Sequence, residues 1–140
     1  MIREMQEADL ADVMEIWLNE NINSHDFIEE EYWKNKHSRM QDSLSKAKVF
    51  VWDEGDGIKG FIALSGNYIE GLFVKSEHQR QKIGTALLNH CKNIFWSLIM
   101  HVYQENQKAV NFCEKHDFFV RDRMNNAETN ACELFMEWIR

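Results

Sequence analysis

Between residues 68 and 96 the chain reads as a strand, a basic loop and an amphipathic helix in direct succession, and this segment restricts the fold more than any other. Tyr68 to Val74 is the strand. Lys75-Ser76-Glu77-His78-Gln79-Arg80-Gln81-Lys82 is the loop, and Leu87, Leu88, Cys91 and Phe95 share one face of a helix expected from about Gly84 to Trp96. Strand and helix alternate from there: a strand over Leu98 to Tyr103, a helix over Asn106 to His116, and strands over Phe118 to Arg123 and Glu133 to Trp138. Upstream, a short strand at Ile2 to Glu4 precedes a helix over residues 8–20, in which Leu10, Val13, Met14, Trp17 and Leu18 recur at helical spacing. A second helix is expected near 27–46. Val49 to Trp52 and Ile58 to Ser65 then form a hairpin around Glu54-Gly55-Asp56-Gly57. The order β-α-α-β-β-β-α-β-α-β-β describes an α/β chain of the mixed, α+β kind.

A chain of 140 residues, 44% hydrophobic and 28% charged, suits one domain over residues 1–140. No repeat, low-complexity tract or proline marks a boundary. The absence of a long apolar run and of an apolar N-terminal segment predicts a cytoplasmic protein without a membrane partner. Cys91, Cys113 and Cys132 are widely spaced and odd in number, which predicts reduced thiols and no metal site. The formal charge of −7 argues against nucleic acid and favours cationic or neutral partners. Residues 75–82 depart from that balance, with three bases against one acid.

Gly55-x-Gly57-x-x-Gly60 spells a dinucleotide-binding fingerprint, but that motif needs a helix to open after its glycines. Here Phe61-Ile62-Ala63-Leu64 continues as a strand, so these are read as hairpin glycines. The better anion site lies at the junction of the basic loop and the following helix. The first amides of a helix have no intrahelical acceptor, and the helix dipole adds partial positive charge. Arg80 and Lys82 reinforce that field, Gly84 permits close approach to the backbone, and Thr85 offers a hydroxyl.

Gln79-Arg80-Gln81-Lys82-Ile83-Gly84 before a leucine-rich helix resembles the acetyl-coenzyme A motif of the GNAT N-acetyltransferases. Asn106-Gln107-Lys108-Ala109-Val110-Asn111-Phe112-Cys113-Glu114-Lys115-His116-Asp117-Phe118 resembles the second motif of that family. The resemblance implies a splayed central sheet flanked by helices, with acetyl-CoA as co-substrate between two diverging parallel strands at 68–74 and 98–103. It implies cofactor contacts from Leu72, Phe73 and Val74, from Gln79 through Thr85 (Gln79, Arg80, Gln81, Lys82, Ile83, Gly84, Thr85), and from Asn106, Ala109 and Phe112. Three positions depart from the pattern: Lys82 and Asp117 stand where the family has glycine, and Cys113 stands where it commonly has the tyrosine that protonates the leaving thiolate.

Cys113 is therefore either that acid or a small buried apolar side chain, with Tyr103 as the substitute donor. Transfer also requires the acceptor ammonium to lose a proton. By strand alternation Tyr68, Glu70, Leu72 and Val74 share one face, which makes Glu70 the first candidate base, with Tyr68 beside it at the acceptor. His25 and Phe27 lie where acceptor pockets form in such proteins, and His25 is either a base or a capping or packing residue. His116 and Cys113, three apart, are too few to specify a metal. The expectation is direct transfer from acetyl-CoA to the amine of a small molecule or protein by a monomer or homodimer. The alternative is a binding or sensor module for acyl-CoA that has lost turnover.

Overall fold

The apolar stripe that begins at Leu10 and includes Val13, Met14 and Trp17 forms α1 (Leu10–Ser24), entered through a 3-10 turn at Glu7–Asp9. In the computed structural model, which describes residues 1–140, α2 (Glu30–Lys46) crosses back over the same sheet face. Together these helices bury Val13, Ile16, Trp17, Trp33 and Leu44 against it. The strands are β1 (Ile2–Glu4), β2 (Lys48–Asp53), β3 (Ile58–Ser65), β4 (Tyr68–Val74), β5 (Ser97–Tyr103), β6 (Phe119–Asn126) and β7 (Ala131–Ile139). α3 (Ile83–Lys92) and α4 (Gln107–Lys115) cover the other face. The sheet order is β1-β2-β3-β4-β5-β7-β6.

Strict alternation divides the hairpin between two cores. Val49, Val51, Phe61 and Ala63 point to α1 and α2, while Phe50, Ile62 and Leu64 point to α3 and α4. Gly55 and Gly57 occupy the β2–β3 turn with positive φ, and Gly60 lies within β3, so no helix follows these glycines. A Cβ on Gly60 would sit 2.8 Å from the Phe73 carbonyl, which requires glycine at this crossing of β3 and β4.

Several boundaries differ from the sequence expectation by a few residues, with α1 running to Ser24 and β7 starting at Ala131, and two of the shifts have identifiable reasons. α3 ends at Lys92 rather than near Trp96, because the Ile94 and Phe95 amides both fold back onto the Cys91 carbonyl. β6 continues to Asn126 although its second half is polar, since Arg123 through Asn126 pair with Leu134 through Ala131 of β7. No helix is long and apolar enough to cross a membrane.

Candidate active site

β4 and β5 are the only parallel neighbours, and a single residue pair, Tyr68 with Ile99, joins them before they part. Beyond that pair the edge of β4 facing β5 from Gly71 to Val74 has no strand partner. A bulge sharpens the divergence: Ala63 pairs with Gly71 and Leu64 with Ile69, leaving Glu70 as the extra residue of β4. Bulging also resets the alternation. Ile69, Leu72 and Val74 pack toward α3, whereas Tyr68 and Glu70 turn toward the α1–α2 side, where they line the cleft with Trp33 and Lys36. The expectation that Tyr68 and Glu70 share a face with Leu72 and Val74 is corrected. Both nonetheless reach the side on which an acceptor was expected. Ser65 Oγ donates to Glu70 Oε1 at 2.9 Å, and Tyr68 Oη lies 2.9 Å from His101 Nδ1.

The basic loop delivers a free helix start beside that open edge. Lys82, in the left-handed region at φ 65°, precedes α3, whose first turn carries no acidic residue and no side-chain cap. The first amides of the helix are thus left for an anion. Arg80 is also left-handed at φ 69°, so the backbone turns sharply twice in this loop. Gln79 fixes the loop from behind: its Nε2 donates to the Val74 carbonyl at 3.0 Å and to Glu20 Oε1 at 3.2 Å, and its Oε1 accepts from Lys108 Nζ at 3.0 Å. Glu20, buried to 6% exposure, also accepts from the Ser76 amide and hydroxyl. Arg80, Gln81 and Lys82 are exposed, while the Ile83 side chain belongs to the core. A Cβ on Gly84 would meet the Phe112 ring at 3.6 Å and Val74 Cγ2 at 3.7 Å, so a methyl group fits in ordinary contact and anything larger must displace those side chains. Thr85 Oγ1 lies 3.1 Å from His116 Nε2.

A cleft of about 590 Å³ opens at the β4–β5 divergence on the α1–α2 side. Its walls are aromatic, with His25 stacked on Trp33 at 5.3 Å and edge-on to Tyr103 at 5.1 Å. Phe27 packs against both His25 and Tyr103 but lies behind the lining. His25 Nδ1 donates to the Asn21 carbonyl at 3.0 Å, which leaves Nε2 to accept from Asn106 Nδ2 at 3.1 Å. Burial pushes His25 down to about 4. A neutral ring with both nitrogens engaged fits the packing alternative for this histidine, which also lines the cleft. Asn106 is equally occupied: its Oδ1 accepts from the Ala109 amide at 3.2 Å and caps α4, and the residue also lines the cleft. Ala109 lines the cleft, and Phe112 stands over Gly84 and His116.

Cys113 lies beneath α4 at 2% exposure, its Sγ 3.6 Å from Met100 Sδ, and burial raises its thiol to about 12. It does not line the cleft, so of the two sequence readings the packed one fits this position. Tyr103 does line it, its Oη accepting from Asn126 Nδ2 at 3.4 Å and Thr129 Oγ1 at 3.5 Å, with burial raising its pKa. Burial, with Glu70 second, pushes Tyr68 up to about 12. His116 and Cys113 do not converge, since one faces Thr85 and the other Met100.

Sequence reasoning missed Lys36, Glu128, Glu133 and His101, all of which line the cleft. His101 was accessible in principle, because it shares the parity of Tyr103 on β5. Lys36 follows Tyr32 by one helical turn and donates to its Oη at 3.3 Å, and the Tyr32 hydroxyl lies 3.4 Å from Glu128 Oε1. Nothing local to residues 128 or 133 announces that they meet α2.

Residues 10–118 match the model of the Acetyltransferase (GNAT) family. The chain is 32% identical over 140 residues to the peptidyl-lysine N-acetyltransferase YiaC of Escherichia coli K12, covering 99% of this chain and 96% of that one. It is 28% identical over 123 residues to the peptidyl-lysine N-acetyltransferase YjaB of the same organism, covering 87% and 84%. The solution structure of apo YjaB superposes with a TM-score of 0.87 at 25% identity over 99% of this chain and 96% of that one. The PaiA N-acetyltransferase of Thermoplasma acidophilum, solved with coenzyme A, shares the fold at TM-score 0.80 and 21% identity, covering 100% and 98%.

Proposed function

This chain belongs to the acetyltransferase (GNAT) family, an N-acetyltransferase using acetyl-CoA, and from that premise we propose that its acceptors are lysine side chains of proteins. The observation that carries the proposal is the cleft itself: aromatic walls from Trp33 and Tyr103 lead to three carboxylates, Glu70, Glu128 and Glu133. A long apolar stem ending in an ammonium suits that sequence of surfaces, since the stem covers the rings and the cation meets the acids. The relatives named as peptidyl-lysine N-acetyltransferases support the same acceptor.

In this reading the free edge of β4 from Gly71 to Val74 holds the pantetheine arm. The amides opening α3 hold the pyrophosphate, with Arg80 and Lys82 adding charge. The uncapped, acid-free first turn of α3 suits an anionic ligand, and Gly84 adds no side chain to that turn. Acetyl-CoA, when bound, supplies the acetyl group as a thioester. Main-chain amides of β4 polarise its carbonyl, and Glu70 accepts the proton of the incoming ammonium directly or through water. Tyr103 and Tyr68, both protonated at neutral pH, are the phenols that line the cleft and serve as donors to the leaving thiolate. Most of the acceleration then comes from positioning two substrates on either side of the diverging strands.

A panel of primary amines tests the acceptor: a lysine peptide with a blocked N-terminus, the same peptide with blocked lysine and free N-terminus, a polyamine and an amino sugar. The expected result is a kcat/KM for the lysine peptide at least about tenfold above the others. Preference for the free N-terminus or a small amine overturns the proposal. Glu70→Gln should lower kcat more than it raises KM.

A further inference from the structure

Lys36 is the one lysine whose side chain lines the cleft, and it enters from α2 on the same side as Glu70, Tyr68 and His101. Its Nζ rests on a phenol rather than a carboxylate, donating to Tyr32 Oη at 3.3 Å and lying 5.4 Å from that ring's centroid. Arg39, one turn further along α2, instead takes the Glu128 carboxylate, at 3.6 Å. The arrangement places a half-buried primary amine inside the pocket assigned to primary amines.

We propose that Lys36 is an acetylation site of this protein and that the cleft modifies it in cis. The inference rests on the acceptor reading above, because it assigns to Lys36 the place of an incoming lysine. Transfer in cis requires the flexible stem to carry Nζ from Tyr32 toward the β4 edge, across the cleft that Lys36 and β4 both line. Burial is the leading influence on Lys36 and lowers its pKa, with Arg39 acting in the same direction and Glu128, Glu133 and Glu70 opposing it. The ammonium gives its first proton to one of those carboxylates or to water. The N–C bond then forms as the C–S bond of the thioester breaks, and the second amine proton leaves on the coenzyme A thiol. The product is neutral acetyl-lysine where a cation stood among three acids, so the cleft becomes more negative and more attractive to a cationic acceptor.

The test uses the full chain, shown by intact mass to carry no acetyl group, incubated with acetyl-CoA and no acceptor over a concentration series. Peptide mapping should find acetyl on Lys36 at a rate constant independent of protein concentration and at least about tenfold above that of exposed Lys34 or Lys46. At acetyl-CoA concentrations below saturation the modification should slow by the factor that Gly84→Val takes from cofactor affinity, and Lys36→Arg should lose this fast phase in intact mass. Lys36 left unmodified by a chain that acetylates the lysine peptide overturns this inference alone. A chain that acetylates neither fails the acceptor reading and this inference together. Modification of Lys36 that is equally fast in Gly84→Val, or that scales with protein concentration, overturns it as uncatalysed or intermolecular chemistry.

Discussion

Asn106 Nδ2 donates to Nε2 of His25 at 3.1 Å, joining the residue that ends α1 to the residue that caps α4. Because the other imidazole nitrogen donates to the Asn21 carbonyl, this pair holds the ring neutral and in one tautomer. One wall of the cleft thereby depends on an uncharged histidine.

A pH dependence follows. His25 falls from 6.5 to about 4 on folding, so the folded state resists its protonation. This stabilisation is fully present above pH 6.5 and is lost as pH falls through the window down to about 4, on the order of 3 kcal/mol at most. His116, also lowered by burial and Lys92, adds in the same direction. Urea unfolding between pH 7.5 and 4 should show the loss, and His25→Gln should flatten the slope. An unchanged slope in that variant removes the assignment.

Gly84 lies in the first turn of α3, where the pyrophosphate is proposed to bind. A methyl group there makes only ordinary contacts with Phe112 and Val74, so Gly84→Ala should fold normally and weaken acetyl-CoA modestly. Gly84→Val reaches beyond that methyl toward Phe112 and Val74 and should weaken binding more than about tenfold by calorimetry, roughly 1.4 kcal/mol. Equal affinity in all three chains contradicts this placement of the ligand.

Lys82 occupies a conformation that suits glycine, at φ 65°. The left-handed region costs an ordinary L-residue about 1–2 kcal/mol, offset for glycine by its greater freedom when unfolded. Lys82→Gly should therefore raise stability by up to about 1 kcal/mol while weakening acetyl-CoA and reducing the salt dependence of its binding. Lys82→Val should destabilise, because a branched Cβ resists positive φ. Asp117 shares the conformation at φ 70°, and as a residue that tolerates it better should gain less from glycine.

Cys113 should behave as part of the core. Cys113→Ala is expected to retain the rate at saturation and lose about 1 kcal/mol of stability, while Cys113→Tyr overpacks beneath α4 and lowers stability further. Burial favours the neutral thiol in the folded chain, so its contribution is present below pH 9.0 and lost as pH rises toward about 12. Parallel kinetics and thermal unfolding decide the matter: a large fall in saturated rate for Cys113→Ala, with stability kept, would restore the thiol as the acid.

Local periodicity determined much of this molecule. The bounds of β3 and β4 agree with the sequence reading, and the order of strands and helices is correct throughout, because each element's apolar period is written in its own residues. The basic loop was legible for the same reason, as its bases, Gly84 and the helix start are contiguous.

Only the tertiary structure decided which residues meet. The bulge at Glu70 turns Tyr68 away from Leu72 and Val74, and alternation cannot foresee an extra residue that is defined by pairing with β3. Cys113 and Met100 become neighbours through the packing of α4 on β5. Lys36 comes to share a cleft with Glu70, Glu128 and Glu133 because α2 crosses the sheet above the divergence of β4 and β5. Such encounters depend on crossing geometry between elements distant in sequence, which no single segment encodes, and in this chain they supply the cleft's charge while the local pattern supplies its frame.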